Sequence, residues 1–514
     1  MTARPAPSDS RPLGASSVSA AAGTARAPAA AVAWGVVGLF AAVAGWLGWR
    51  SLGWPLVHDA PIMHYIAWRI GEGAVPYRDL FDMNFPGVYL VHLGVLATLG
   101  AGDAGWRAFD LAWLAAGSGA VAALAAPWGA PAAAGGALFF AVHHLAGGAW
   151  QAGQRDFLLC PFLLAGVLGV ARWLERRRPA SLAWGGLALG AGITIKPHAL
   201  ALAAALAVVV AVAARRTGVA GPLAAFALPL ALAPLAVVAW VAALGGLPAW
   251  RAIVVDYLVP LYSRLGRPAR WGFHRWHVWI PVAVAAGASL ASAGLGRRLS
   301  PRHGLAALGV VYGVAHYVGQ GKGWEYHVYP LAAFAAPLLF SEVAALLRSP
   351  RPVAGALVAA SLGAVALMLA AKGAEAAAAA DDGWIAGTER RVAAVVADLR
   401  PRLAPGDLVQ MLDTTDGGIH ALLRLGVAQP TRFVYDFHFF HDVDAPVIAG
   451  LRRELVGGLE RRPPRFVVLF RRGWPAGGYE RLESFPALRD RLAAAYRVEV
   501  RGDGYVIHAK RDDP

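Results

Sequence analysis

The sequence predicts an α-helical polytopic membrane protein, with about eleven transmembrane helices plus interfacial helices and a small α/β domain at its C-terminal end. Three observations predict this. The 514 residues are 57% hydrophobic and only 15% charged, with mean hydropathy +0.49, whereas a soluble chain carries about 25% charged residues. The apolar residues fall into runs long enough to cross about 30 Å of hydrocarbon. Beyond residue 381 the runs shrink to strand length. The composition excludes an ordinary soluble enzyme and a disordered chain. A single cysteine, Cys160, excludes an internal disulfide and a cysteine-based zinc or iron–sulfur site. In a chain this hydrophobic, the net charge of +15 marks the loops on one side of a bilayer rather than a nucleic-acid surface.

Residues 1–30, rich in Ala, Pro and Ser with Arg4, Arg11 and Arg26, read as a disordered cytoplasmic leader. The run from about Ala31 to Trp49 is too long for a signal-peptide core and reads as an uncleaved first span. Further runs lie near 104–125, 131–149, 157–173, 181–195, 198–214, 219–245, 277–295, 304–320, 327–347 and 352–371. Counting 86–101 as a span would set the basic loops around Arg172–Arg178, Arg215–Arg216, Arg297–Arg302 and Arg348–Arg351 opposite the Arg-bearing N-terminus. That stretch is therefore expected to lie along the outer interface, with the N-terminus inside and the C-terminus outside. The membrane domain then covers 31–371, with long outer loops at 50–103 and 246–276. Within the first loop, 59–73 reads as a helix with Asp59 as its N-cap and Pro61 in its first turn.

The tail, 381–514, reads as an external α/β domain. Strands are expected at 407–412, 432–436 and 465–470, with helices near 417–425, 445–459 and 485–495. A final pair, 497–501 and 505–510, flanks the turn Gly502-Asp503-Gly504. No internal repeat or inverted pair of broken helices is evident, which disfavours a transporter.

The ionisable residues collect at span ends and in the two long outer loops. They are His58, Asp59, Arg78, Asp79 and Asp82, then Arg155 and Asp156, Lys196, the arginines of 251–275, and finally Lys322, Glu325 and His327. Cations on the outer face break the positive-inside rule and call for a ligand; a lipid phosphate suits them. Lysine occurs only at 196, 322, 372 and 510. Lys322 lies between two glycines, which permit close approach of backbone and ligand.

Each residue also has a plainer role open to it. Asp59 could simply cap its helix, and Arg155–Asp156 could be an interfacial ion pair. Asp79 and Asp82 could cap a helix or pair with Arg78, and Lys196 could snorkel to the headgroups. The histidines at 58, 143, 144, 274, 277 and 327 show no zinc-type spacing.

The order of these elements resembles the GT-C superfamily of polyprenyl-phosphate-sugar glycosyltransferases. The likeness is to the branch holding rhizobial lipopolysaccharide transferases, aminoarabinose–lipid A transferases and protein O-mannosyltransferases. It rests on Val57-His58-Asp59-Ala60 leading into Val75–Asp82 and Asn84-Phe85-Pro86-Gly87, then Gln154-Arg155-Asp156, Gly192–Pro197, and Gly321-Lys322-Gly323 followed by Tyr326-His327. It covers residues 31 to about 371. The resemblance implies that Asp59 is the general base and Asp156 a second acid near the acceptor, with Lys322, Arg264, Arg267 and Arg270 holding the donor phosphate. Lys196, Asp79, Asp82, Tyr326 and His327 complete the expected substrate-binding set. One departure stands out: many relatives have Asp-Glu where this chain has Asp59-Ala60.

The implied reaction moves a sugar, with inversion, from a polyprenyl phosphate to a cell-envelope acceptor (glycan, lipid or protein) on the periplasmic face of a bacterial inner membrane. No metal ligands are assigned; a divalent cation at the phosphate stays open, and nucleic acid is not an expected partner. The alternatives are a flippase for a lipid-linked sugar, or a ligase or polymerase using polyprenyl pyrophosphate.

Overall fold

The computed structural model describes residues 26–267, 274–349, 352–475 and 477–511. The leader expected over 1–30 lies outside the described residues up to position 25.

The N-terminal part is a helical bundle. Helix α1 (Arg26–Arg50) leads through a short turn to α2 (Asp59–Gly71) and α3 (Gly87–Leu99). Then come α4 (Asp103–Ala125), α5 (Ala130–Leu145), α6 (Arg155–Arg176), α7 (Pro179–Ile195), α8 (Ala199–Ala214) and α9 (Ala220–Ala243). The second long loop holds α10 (Leu247–Ala252), which runs into a π-helical turn over Ile253–Leu258. Helices α11 (Trp276–Gly294), α12 (Pro301–Gln320), α13 (Tyr329–Leu339), α14 (Val343–Leu347) and α15 (Pro352–Asp381) complete the bundle.

Among the described residues, seven helical stretches are long and apolar enough to cross a membrane. The apolar helices α3, α5, α7 and α8 are shorter; the 16 residues of α8 span about 24 Å at 1.5 Å per residue. Every apolar run expected to cross contains helix, and 86–101 forms the 13-residue α3. The run 327–347 is not one continuous helix. It opens with a 3-10 turn at Glu325–Val328 and breaks between α13 and α14. At that break the buried Glu342 turns inward to Ser292, His303 (3.0 Å) and Arg297 (3.3 Å). A carboxylate within an apolar run must find partners, and the helix yields to supply them.

The two ends of the bundle differ in what they gather. At one end Arg302 joins Glu175 (2.6 Å) and the carbonyls of Ala123 and Leu124, tying together the turns after α4, α6 and α11. The long loops holding α2, α3 and α10 lie at the other end, under the C-terminal part.

That part begins with α16 (Trp384–Leu399) and holds a four-stranded sheet: β1 (Val409–Leu412), β2 (Phe466–Phe470), β3 (Tyr496–Gly502) and β4 (Tyr505–Lys510). The strand order is β1-β2-β4-β3, with β1 and β2 parallel and the other pairs antiparallel. Helices α17 (Gly418–Leu425), α18 (Pro446–Arg461) and α19 (Pro486–Ala495) complete it. One expected strand is absent: 432–436 is not a strand of this sheet. Its Phe433 instead bridges Phe81 of the first outer loop, and the Phe81 amide donates to the Arg432 carbonyl at 2.7 Å. The segment reads as a strand because it is apolar and β-prone, yet its partner is the membrane domain. Phe81, Tyr257 and Phe433 share one core with β1 and β2, so the two parts are packed together through apolar surface.

Candidate active site

Asp59 opens α2. The cap position falls on His58, whose φ of 64° is a left-handed conformation rare for a residue with a Cβ. With the cap elsewhere, the Asp59 carboxylate meets side chains: Arg155 Nη2 at 3.0 Å and His58 Nδ1 at 3.2 Å. Burial alone would raise the Asp59 pKa. The neighbouring His58 and Arg155 outweigh it and hold the carboxyl well below its ordinary range.

Arg155 and Asp156 open α6 and do not pair with each other. Successive helical residues point about 100° apart, so each finds its own partners. Asp156 is fully buried, its oxygens bound by Lys196 Nζ and His316 Nε2, each at 2.5 Å. Lys196, just past the end of α7, therefore points inward and does not snorkel; burial, opposed by Asp156, lowers its pKa to about 8. Two of the sequence motifs also meet here. Gly87 packs so closely on Thr194 that a Cβ would lie 2.2 Å from the threonine hydroxyl.

Lys322 is held differently. Gly321 and Gly323 both adopt positive φ, and the turn between them carries the ammonium to the carbonyls of Tyr262 (2.5 Å) and Leu265 (2.6 Å), over the Tyr262 ring at 4.1 Å. Burial lowers its pKa to about 8. Lys322 thus fastens the second outer loop to the bundle. Arg264 and Arg267 are exposed, and the Arg267 amide donates to the Gly321 carbonyl. Arg270 lies outside the described residues.

The remaining expected residues divide. Asp79 pairs with the exposed Arg78 and accepts from the Val75 amide, so it shapes a turn. Asp82 is buried and accepts from Tyr89 (2.6 Å), Asn84 and the Met83 amide; burial raises its pKa despite these bonds. Tyr326 lies under the Arg155 guanidinium, 5.8 Å from ring centre to Cζ. His327 packs on Tyr326 at 4.7 Å, within electrostatic reach of Asp156 and Lys196.

Three contributors were given no role at the site by the sequence reading, though Arg155 was named in it. Arg155 turns out to be the partner of Asp59, which its position beside Asp156 concealed. Tyr262 links Lys322 to the surroundings of Arg155 and Asp59. Tyr435, from the C-terminal part, reaches the same centre: Asp82, Asp59, Arg155 and Tyr262 all lie within its electrostatic range. Its segment is held in place because Tyr257 of the second outer loop shares hydrogen bonds with His438 (2.7 Å) and His441 (2.9 Å). Burial, then Asp82 and Asp59, raise the Tyr435 pKa far above its ordinary value, keeping it a hydroxyl donor. Nothing in the run Arg432–His441 predicts this reach, because it depends on how the domain docks. Among the described residues, no three His, Cys, Asp or Glu side chains group so as to hold a metal ion.

This chain is a multi-pass helical bundle with a cluster of buried ionisable residues at one end, beneath a packed α/β domain, and it shares that fold with solved structures. It is similar to ArnT from Cupriavidus metallidurans bound to undecaprenyl phosphate, with a TM-score of 0.58 and 14% identity, covering 92% of this chain and 98% of that one. It is also similar to the same protein in its apo state, with a TM-score of 0.55 and 16% identity over 93% and 98% of the two chains. No protein-family model matches the chain, and no curated protein matches it in sequence.

Proposed function

We propose that the protein is a GT-C-type glycosyltransferase that moves a sugar from a polyprenyl phosphate to a hydroxyl of a cell-envelope acceptor. Undecaprenyl phosphate, the lipid named for the similar ArnT structure, is the carrier to try first. The observation that carries the reading is the Asp59–Arg155 pair, surrounded by Tyr262, Tyr326 and Tyr435 from three separate segments. The bundle end holding these groups faces the periplasm in this reading, because the short basic loops lie at the other end.

The acceptor oxygen attacks the anomeric carbon as the bond from that carbon to the phosphate oxygen breaks. The lipid phosphate leaves with the electron pair, and the hydroxyl proton passes to Asp59. Arg155 is the group best placed to meet the growing charge on the phosphate. While Arg155 holds Asp59, the carboxylate is a weak base; a phosphate that takes over the guanidinium frees it. Base and cation are thus coupled, and a bound donor activates its own attack. The tyrosine rings supply flat faces for a sugar. Attack from the face opposite the phosphate inverts the anomeric configuration.

Full-length protein in lipid, supplied with labelled undecaprenyl-phosphate sugars and envelope lipids, should transfer label. Asp59→Asn should lower the rate per folded molecule by about 10²–10⁴-fold, the usual contribution of a general base, and should also lower the thermal unfolding midpoint, because Arg155 loses its carboxylate. Turnover within a few-fold of wild type would remove Asp59 from the reaction.

A further inference from the structure

A second polar cluster lies beyond the Asp59 site, where α11, α15 and the turn before α13 meet. Glu325 is its one carboxylate, and it faces several nitrogens. Lys372 Nζ lies at 2.7 Å, Arg275 Nη1 at 3.5 Å and His277 Nε2 at 3.5 Å. The other arm of Arg275 donates to the Gly323 carbonyl at 3.1 Å. Behind them, the His143 ring stacks on His277 at 5.7 Å. Arg275 Nε, His277 Nε2 and His143 Nδ1 are buried and make no hydrogen bond, although the Glu325 carboxylate faces His277 Nε2 and Tyr317 stands beside Arg275.

Buried donors seldom go unpaired in a native protein, and a group of them asks for an acceptor. The cluster is one positive charge in excess, because Arg275 and Lys372 share Glu325; Glu375, one turn further along α15, is exposed. It is also open from outside: the Lys372 and Arg275 side chains are 24% and 25% exposed. Trp276, beside them, is 62% exposed, as expected of an aromatic anchor at headgroup depth.

Lysine is scarce in this chain, yet Lys372 stands within the apolar α15. A compact, strongly hydrated ammonium there is costly unless something anionic meets it, and the carboxylate that does so, Glu325, is shared with Arg275. Lys322 turns the other way, to the carbonyls of the second outer loop, so the two lysines serve different ligands.

We propose that Arg275, Lys372 and His277 form a phosphate-binding site at the bundle edge, for the phosphate of a lipid headgroup lying between α11 and α15. This site does not depend on the transferase reading, and binding alone tests it. Full-length protein in neutral phosphatidylcholine nanodiscs is titrated with dioctanoyl phosphatidic acid, and retained lipid is counted by native mass spectrometry. The Arg275→Gln/Lys372→Gln double variant should bind at least about tenfold more weakly, the loss expected of charge-assisted hydrogen bonds. Lys510→Gln, at the end of β4, should bind as wild type does, and Lys372→Arg should retain most of the affinity.

Competition by millimolar inorganic phosphate would show that the headgroup alone suffices. No competition, with binding still lost in the double variant, would show that the acyl chains are also needed. If the double variant does not purify, Lys372→Met, which keeps the side-chain volume, carries the same comparison. Equal affinity in wild type and the charge-removing variants would overturn the proposal.

Discussion

The two ends of the bundle use similar side chains to opposite purpose. At the end bearing the short basic loops, Arg302 spans Glu175 and two carbonyls, while Glu342 takes Ser292, His303 and Arg297. These groups answer one another across neighbouring turns, so the arrangement closes on itself and holds helices together. At the other end the Asp59–Arg155 pair lies within electrostatic range of tyrosines from separate segments, and among the described residues Arg155 forms an ion pair with no second carboxylate. A cation balanced by one carboxylate can change partners when an anion arrives. A cation locked between a carboxylate and two carbonyls cannot. Ion pairs thus become functional or structural according to how many alternatives surround them.

Four measurements sharpen the contrast. The largest effect is expected from comparing Asp156→Asn with Glu342→Gln. Asp156→Asn leaves Lys196 buried without its countercharge, which typically costs about 3–5 kcal/mol, so both transfer and the unfolding midpoint should drop. Glu342→Gln leaves His303 and Ser292 short of an acceptor at about 1–3 kcal/mol and should lower the midpoint while transfer per folded molecule is unchanged. Equal loss of specific transfer in both would erase the distinction between the two ends. Next comes Asp59→Asn, already described, whose effect should fall on the rate per folded molecule, beside a midpoint lowered by the stranded Arg155.

A smaller effect is expected of Tyr435→Phe, which keeps the ring and removes the hydroxyl. It should raise KM several-fold for one substrate with kcat little changed, whereas Tyr435→Ala should alter both. Identical kinetics for the Phe variant and wild type would assign Tyr435 to packing alone.

The smallest effect is a pH dependence at Lys322. Its folded pKa, about 8, lies below the ordinary lysine value of about 10.4. The unfolded chain therefore binds more protons between these values, and the stability cost of a charged Lys322 is full below pH 8 and relieved as pH rises above it. Release of the loop returns Lys322 to its ordinary pKa, so protonation favours the open loop and deprotonation favours the closed one, in which the amine still donates to the Tyr262 and Leu265 carbonyls. Hydrogen exchange in 258–267, corrected for its intrinsic pH dependence, should slow down between pH 7 and 9 in wild type and not in Lys322→Met. A pH response shared by both would exclude Lys322 as the clasp.

Asp59 titrates in the opposite sense. Its depressed folded pKa adds stability that is present above the ordinary carboxylate range and lost on acidification. Asp59 accordingly stays ionised throughout the pH range in which Lys322 changes.

Much of the bundle was legible because hydrocarbon leaves the backbone few options: an apolar run must be helical to satisfy its own amides and carbonyls. The placement of the basic loops set 86–101 apart, and that stretch forms the 13-residue α3. Where a run contained an acid, as at Glu342, periodicity alone could not show that the helix would break there. The tail was legible in its helices, in β1, β2 and the final hairpin, because alternation and turn residues are local signals. It failed at 432–436, where a β-prone segment chose a partner more than 300 residues away.

In the site, the sequence singled out Asp59, Asp156, Lys196 and Lys322, since a charge at the edge of an apolar run is conspicuous. It could not say which charges meet. Lys196 and Asp156 were candidates for separate roles and turn out to neutralise each other. The sequence by itself determined the secondary structure of the bundle, the positions of its polar residues along the chain, and the apolar character that commits it to a membrane. Those follow from short-range chemistry: hydropathy, helical periodicity and backbone hydrogen bonding. Only the tertiary structure decided that Arg155 belongs to Asp59, that Lys322 clasps a loop, and that Tyr435 enters from the C-terminal part. Ion pairing depends on distances of a few ångströms between residues far apart in the chain, and packing alone sets those.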